Sequence, residues 1–499
     1  MAWADSVLGT DEMVPVLDGQ RRYLALDNAA STPPLKAVMA AVDRFMPWYS
    51  SVHRGAGLKS QRATQAYEEA RETVARFVGA NPNEHTVIFG KNCTEAINKL
   101  SYRLALAPDD VVLVSMLEHH SNDLPWRACS RVVRVAADAS GRLELAHAAH
   151  LLRVHAGRVR LVSVTGGSNV TGHVPDIHAL AELAHAAGAR ILVDAAQLAP
   201  HRAIDMRPLD DPRHLDYVAL SAHKLYAPFG TGALIGRRDT FERGEPEQRG
   251  GGTIDFASTD EVTWASGPDR DEAGSPNVVG AVALAAAVHA LRDIGMAAIA
   301  RHETELTAHA LQRLAGIDGI QVYGDGCPGR AGSRLGVIPF NLASRSHFHV
   351  AAVLSAEHGI GVRNGCFCAH PYLMHLLQIT PAEVRQIRDR MAQGDRGTMP
   401  GMVRVSFGLF NTVDDVDRLA DALQEIAAGR VRGRYVQDRA SGEFRLDAAW
   451  QCSRPRPNPV GVASDLKPGT AAVSSRQPRP YREPWRTSGI SPHERRRFR

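Results

Sequence analysis

Residues 160–193, RLVSVTGGSNVTGHVPDIHALAELAHAAGARILV, hold two short apolar runs, Arg160–Val164 and Arg190–Val193, separated by an amphipathic stretch. Runs of four or five residues rich in Val, Ile and Leu, without alternation, read as strands buried on both faces. Between them Ile177–Ala187 carries apolar residues at helical spacing and is closed by Gly188, whose freedom at positive φ suits the end of a helix. Strand, crossover helix and strand of this kind form a parallel pair.

The same rhythm extends outward. His85–Phe89 (HTVIF), Val111–Ser115 (VVLVS) and Tyr217–Leu220 (YVAL) read as further strands, and Thr94–Leu100 begins a helix. Tyr67, Ala70, Val74, Phe77 and Val78 line one helical face, stopped by Gly79 and Asn81-Pro82. The expected fold is therefore α/β, a large and mostly parallel sheet with helices on both faces, whose ligands bind outside the carboxyl ends of the strands. From about residue 295 the pattern changes. Leu335–Leu342 and Met402–Phe407 read as strands, and Val350–Glu357 and Asp414–Ala428 as helices, the last behind a Thr412-x-x-Asp415 capping signature. A smaller α+β domain is expected there, with Gln393–Gly401 as a mobile loop. The resulting division is an N-terminal segment 1–22, a large domain 23–290, a small domain 291–432 and a disordered tail 433–499.

Composition bounds the function. The 499 residues are about three times the usual domain length. Residues 451–499 hold eleven Lys/Arg against three Asp/Glu and eight prolines, a net +8. The whole chain is only +4, so residues 1–450 carry a net −4 and offer no electrostatic footprint for nucleic acid. A Pro-rich, charged tail without apolar periodicity does not offset its ordering entropy. No apolar run reaches the length that spans a bilayer, and the first residues lack an apolar signal core. Six cysteines, at 93, 129, 327, 366, 368 and 452, are too sparse for a disulfide framework and lack zinc spacing. A reducing, cytoplasmic setting is expected, with no metal and no membrane or nucleic-acid partner.

Polar residues gather where the expected strands end. Ser221-Ala222-His223-Lys224 follows YVAL, Asp194-Ala195-Ala196-Gln197 follows RILV, Glu118-His119-His120-Ser121-Asn122 follows VVLVS, and Ser168-Asn169 follows RLVSV. Cys93-Thr94-Glu95 opens a helix after HTVIF. One cofactor accounts for the set. Pyridoxal phosphate takes a lysine for its Schiff base, an acid for the pyridine nitrogen, a flat group over the ring and a helix N-terminus for the phosphate. Lys224, Asp194, His119 and the Thr94 helix start supply them.

The strings EHHSNDLPW, SNVTG, VDAAQ, SAHKLYAPFGTG, RGGGTID, EAGSPN, VRNGCFCAHP and VRVSFGLFNT, in this order, resemble the class V aminotransferase superfamily, and most of all its group II cysteine desulfurase and selenocysteine lyase branch. The resemblance runs from about Tyr23 to Gly429. It implies a type I pyridoxal-phosphate fold, a homodimer, and conversion of L-cysteine, or selenocysteine, to alanine. It further implies Lys224 as the Schiff-base lysine and proton shuttle, Asp194 and Gln197 against the cofactor ring, and His119 stacked on it. Thr94, Ser221 and His223 would hold the phosphate with Ser275 of the partner subunit, while Asn169 and Arg404 orient the substrate. His53, Arg54 and Arg363 would line the entrance, and Cys368 would be the nucleophile that takes sulfur and passes it to an acceptor protein. His120 reads as the bystander of the His119-His120 pair. The loop Gly365-Cys366-Phe367-Cys368 departs from the branch and is similar to that of molybdenum cofactor sulfurases. The alternative is another class V activity (aminotransferase, epimerase or C–S lyase) in which the cysteine is not a nucleophile.

Overall fold

The structure, a computed structural model, describes residues 3–447 apart from Arg54 and Ser344. Seven strands form the large sheet in the order His85–Gly90, Gly232–Arg237, Tyr217–Ser221, Arg190–Asp194, Val159–Thr165, Val111–Ser115, Arg131–Val135. All pairings are parallel except those of Gly232–Arg237, which runs antiparallel to both neighbours. The five strands expected from their apolar runs are present and almost wholly buried. Crossover helices start on side-chain caps. Asn92 accepts the amide of Glu95 at 3.0 Å ahead of Cys93–Arg103, and Asp176 that of Ala179 at 2.9 Å ahead of Ile177–Ala186. Gly232 is obligatory: a Cβ there would lie 2.6 Å from the backbone of Asn92. The reversed strand thereby packs directly against the turn that launches the Cys93 helix.

At the opposite end of the sheet Asp216, fully buried, gathers His185, His214, Arg237 and the amide of Ile191. Charge-assisted bonds to this carboxylate tie three elements together behind the strands.

A second core lies under a four-stranded sheet in the order Ile320–Val322, Val337–Leu342, Met402–Ser406, Arg363–Gly365. It packs the helices Met296–Ala315, His347–His358 and Val413–Ala427, the last with the expected capping box between Thr412 and Asp415. Leu24 and Leu26 also belong to this core, because Leu24–Ala25 pairs in parallel with Ile360–Gly361. The start of the segment assigned to the large domain thus packs with the small one.

The expectation of a disordered tail from residue 433 is corrected over its first part. Tyr435–Gln437 and Phe444–Leu446 form an antiparallel hairpin. Tyr435 and Phe444 pack edge-on against His349, and buried Glu357 accepts bonds from Tyr435, Gly433 and Arg432. These aromatic residues supply the buried face that the later, proline-rich sequence lacks. Residues 448–499, with most of the basic tail and Cys452, lie outside the described residues. Gln393–Gly401, expected to be mobile, is tied down. His347 Nε2 bonds Met399 O at 3.0 Å, and Arg396 N and Gly397 O bond the hairpin at Arg439 and Gln437.

Candidate active site

Where the parallel strands end, a cavity of about 530 Å³ opens between the two sheets. Ten of the residues expected to meet there do so: Thr94, His119, Asn169, Asp194, Gln197, Ser221, His223, Lys224, Arg363 and Arg404, joined by Cys368. His53 and Ser275 do not. His53 is exposed and bonds Glu68 at 3.2 Å, and Ser275 is exposed in a separate cleft beside Gly90 and Thr231. Arg54 lies outside the described residues.

One end of the cavity is built on the Cys93–Arg103 helix. Ser221 Oγ accepts the amide of Cys93 at 2.8 Å, so the neighbouring strand end is fastened to the first turn of the helix. Thr94 Oγ1 lies 2.6 Å from Ser121 Oγ, which lies 2.9 Å from His119 Nδ1. Hydroxyls and amides at a helix N-terminus suit an anion. Asp194 accepts both of its hydrogen bonds at Oδ1, from Cys93 Sγ at 3.2 Å and Ala196 N at 3.0 Å. Burial and then the Asp194 charge push the Cys93 thiol far up, so Cys93 serves as a donor and not as a nucleophile. Gln197 gives one amide hydrogen to Ala29 O at 2.6 Å, which fixes its side chain against the cavity wall.

Lys224 is half-buried at the cavity. Burial lowers its pKa, and the Asp194 carboxylate opposes that shift; the sign favours a neutral amine, the form that attacks a carbonyl and takes a proton. His119 and His223 are each lowered to about 4 by burial and by the neighbouring Lys224 charge, and therefore stay neutral near pH 7. The residues present thus fit pyridoxal phosphate: hydroxyls and a helix start at one end, a buried carboxylate, a flat neutral imidazole, and an amine between them.

Arg404 and Arg363 sit directly opposite each other on neighbouring strands, an arrangement that like charges disfavour. Asp27 resolves it. Its Oδ1 bonds Arg404 at 2.7 Å and its Oδ2 bonds Arg363 at 2.9 Å. Sequence reading missed Asp27; its only signal was a lone acid after the short Leu24 strand. Arg404 is buried, its Nη1 donates to Asn169 O at 3.0 Å, and its Nε has no partner among the described residues. An unpaired buried guanidinium nitrogen is a vacancy for an acceptor. Arg404→Lys is expected to raise KM for an α-amino acid by about tenfold or more while leaving the fold intact, because an ammonium cannot fork onto a carboxylate. An unchanged KM in steady-state assays would place carboxylate binding elsewhere.

The cysteine loop enters from the small sheet. Cys368 is exposed at the cavity mouth, and Cys366 is buried with its thiol donating to Pro400 O at 3.2 Å. Burial and then the Cys368 charge raise Cys366 to about 11, which leaves it protonated and a poor nucleophile at neutral pH. Cys366→Ser should therefore keep at least about a third of wild-type turnover; a loss as deep as that from Cys368 would make Cys366 the reacting thiol. His120, read as the bystander of its pair, contacts the cysteine loop. Its amide donates to Cys368 O at 2.7 Å and its ring stacks on His370, with centroids 4.8 Å apart. Asn169 is also drawn to the loop, its Nδ2 donating to Phe367 O at 2.7 Å. No sequence pattern announced either contact.

Comparison with known proteins agrees with this geometry. The family model described as aminotransferase class-V matches residues 24–419. A probable cysteine desulfurase of Halalkalibacterium halodurans is 35% identical over 428 residues, 83% of this chain and 96% of the relative. A cysteine desulfurase of Dickeya dadantii is 37% identical over 413 residues, 80% of this chain and 91% of the relative. Among solved structures, the apo cysteine desulfurase of Thermococcus onnurineus superposes with a TM-score of 0.72 at 30% identity, covering 82% of this chain and 95% of that one.

Proposed function

The chain belongs to the class-V aminotransferase family, and from that premise we propose that it is a pyridoxal-phosphate-dependent cysteine desulfurase that turns L-cysteine into L-alanine and leaves the sulfur on Cys368. The observation that carries this reading is the meeting of Lys224, Arg404 and Cys368, from three segments distant in sequence, around one cavity. When bound, pyridoxal phosphate supplies an electrophilic carbon and a ring that withdraws electrons from the substrate.

The chain's own residues do the rest. Thr94, Ser221 and His223 would hold the phosphate, Asp194 would keep a proton on the ring nitrogen, and Gln197 and His119 would pack against the ring. Arg404 takes the substrate carboxylate, with Asn169 beside it and Asp27 holding the guanidinium in plane. Lys224 Nζ removes the Cα proton and returns protons to Cβ and finally to Cα, the second making up for the one the Cys368 thiol gives up. The Cys368 thiolate attacks the substrate sulfur: its S–S bond forms as the substrate Cβ–S bond breaks, and the departing electron pair is protonated at Cβ. Thiol and L-cysteine become persulfide and alanine, with no outside oxidant. Cys368, being exposed, then passes the sulfur to a thiol reductant or an acceptor protein.

The working unit in this reading is a homodimer. His53 and Ser275 lie outside this chain's cavity on exposed loops, where a second copy would use them, Ser275 at its partner's phosphate. A cytoplasmic setting, where thiols stay reduced, goes with this reading. The test is release of alanine from L-cysteine, with sulfide released only when reductant is added. A keto acid or a D-amino acid in place of alanine, formed equally without the thiol at 368, would overturn the reading.

A further inference from the structure

Phe367 and Cys368, two successive residues with side chains, have φ of +53° and +54°. Left-handed backbone is disfavoured for a non-glycine residue and survives only where the surroundings impose it. Two of the restraints come from residues that line the cavity: Asn169 Nδ2 on Phe367 O, and the Arg404 guanidinium 4.9 Å from the Phe367 ring. The others come from His120. Its backbone N–H donates to Cys368 O at 2.7 Å. Its Nε2 accepts the backbone N–H of His370 at 3.2 Å and lies 3.0 Å from His370 Nδ1, with the two rings within 8° of parallel. One residue therefore grips the chain at Cys368 and again two residues later.

Protons on this contact can be counted. A backbone N–H only donates, so His120 Nε2 must present a lone pair, and the proton of the neutral ring sits on Nδ1. His370 Nδ1 is then a second donor to the same atom. A proton added to Nε2 would face two N–H groups and part the rings.

Resting on the reading of Cys368 as the nucleophile, we propose that His120 is a positioning residue of the reaction: its neutral ring and its amide clip the cysteine loop into the left-handed turn that presents the thiol to the cavity, and its protonation opens the clip. The groups that face it are His370 from the loop, His119 at 6.3 Å between ring centroids, and Asp123 and Arg127 from the chain that follows. Burial, then His370, hold His120 below the ordinary 6.5, Asp123 pulling the other way and Arg127 adding to the lowering. The clip is thus closed at neutral pH and opens on the acid side.

The test compares the wild-type holoenzyme with His120→Gln, whose oxygen accepts the His370 amide but does not titrate, and His120→Phe, which keeps ring and backbone amide but has no acceptor. Alanine release and the rate at which 2,2′-dipyridyl disulfide labels Cys368, followed on its peptide by mass spectrometry, are measured against pH. His120→Phe should lose up to about 10²-fold in kcat with little change in KM, and its Cys368 should label several-fold faster. His120→Gln should restore most of kcat and lack the acid limb that wild type shows below about pH 6.5. A His120→Phe enzyme with wild-type kcat and labelling, or identical pH profiles for wild type and His120→Gln in both assays, would overturn the clip. If wild type releases no alanine, the desulfurase reading falls, and the labelling profiles alone decide the clip.

Discussion

Lys224→Ala should release alanine from L-cysteine at least about 10³-fold more slowly than wild type and should lose pyridoxal phosphate on dialysis. Two functions vanish with one amine. In the proposed mechanism the covalent hold on the cofactor goes, and so does the base that moves the Cα proton, a role worth about 10²–10⁴-fold by itself. The surroundings offer no replacement. His119 and His223 are held near 4 by burial and, in wild type, by the Lys224 charge, and Cys93 is far too weak an acid to be ionised beside Asp194. Removing the Lys224 charge would relax both imidazoles upward, but neither occupies the position of Nζ. Exogenous methylamine should restore part of the rate by supplying an amine to the vacated space. Wild-type turnover in Lys224→Ala, measured as alanine, would end the assignment.

Cys368→Ser should bind pyridoxal phosphate and L-cysteine as wild type does, yet release alanine at least about 10³-fold more slowly and carry no persulfide. A hydroxyl is a far weaker acid than a thiol and a far poorer nucleophile toward sulfur. Cys366 does not rescue the variant, since it is buried, bonded to Pro400 and raised to about 11. The contrast between the two serine variants separates desulfuration from other chemistry on the same cofactor. Equal and full activity in both would remove the thiol from the mechanism.

The buried strands were legible because Val, Ile and Leu runs such as VVLVS and RILV have no other stable place. Two strands of the sheet were not. Arg131–Val135 is an edge strand whose arginines break its apolar run, and Gly232–Arg237 is bracketed by glycines that read as turn. The site was legible where chemistry follows a strand end in sequence, as at Asp194, Ser221 and Lys224. It was illegible where a contact joins distant segments. Asp27 meets Arg404 across 377 positions, and His120 meets His370 across 250; neither acid nor histidine is marked by its neighbours. The hairpin after residue 433 was hidden for another reason: its charged residues resemble the tail that follows, and only the pairing of Tyr435 and Phe444 with His349 distinguishes it.

The pairing of Leu24–Ala25 with Ile360–Gly361 also sets an order for assembly during synthesis. On a ribosome, all seven strands of the large sheet lie between residues 85 and 237 and emerge while the partner of Leu24 is still unmade. The wall that carries Thr94, His119, Asp194 and Lys224 can therefore close first, whereas Arg363, Cys368 and Arg404 arrive more than a hundred residues later. Until then Leu24 and Leu26 wait without their core, and the nascent chain presents that wall with Cys93 as its only thiol. Cys368 reaches the wall that carries Lys224 only late, once the Leu24–Ala25 strand is taken up by Ile360–Gly361.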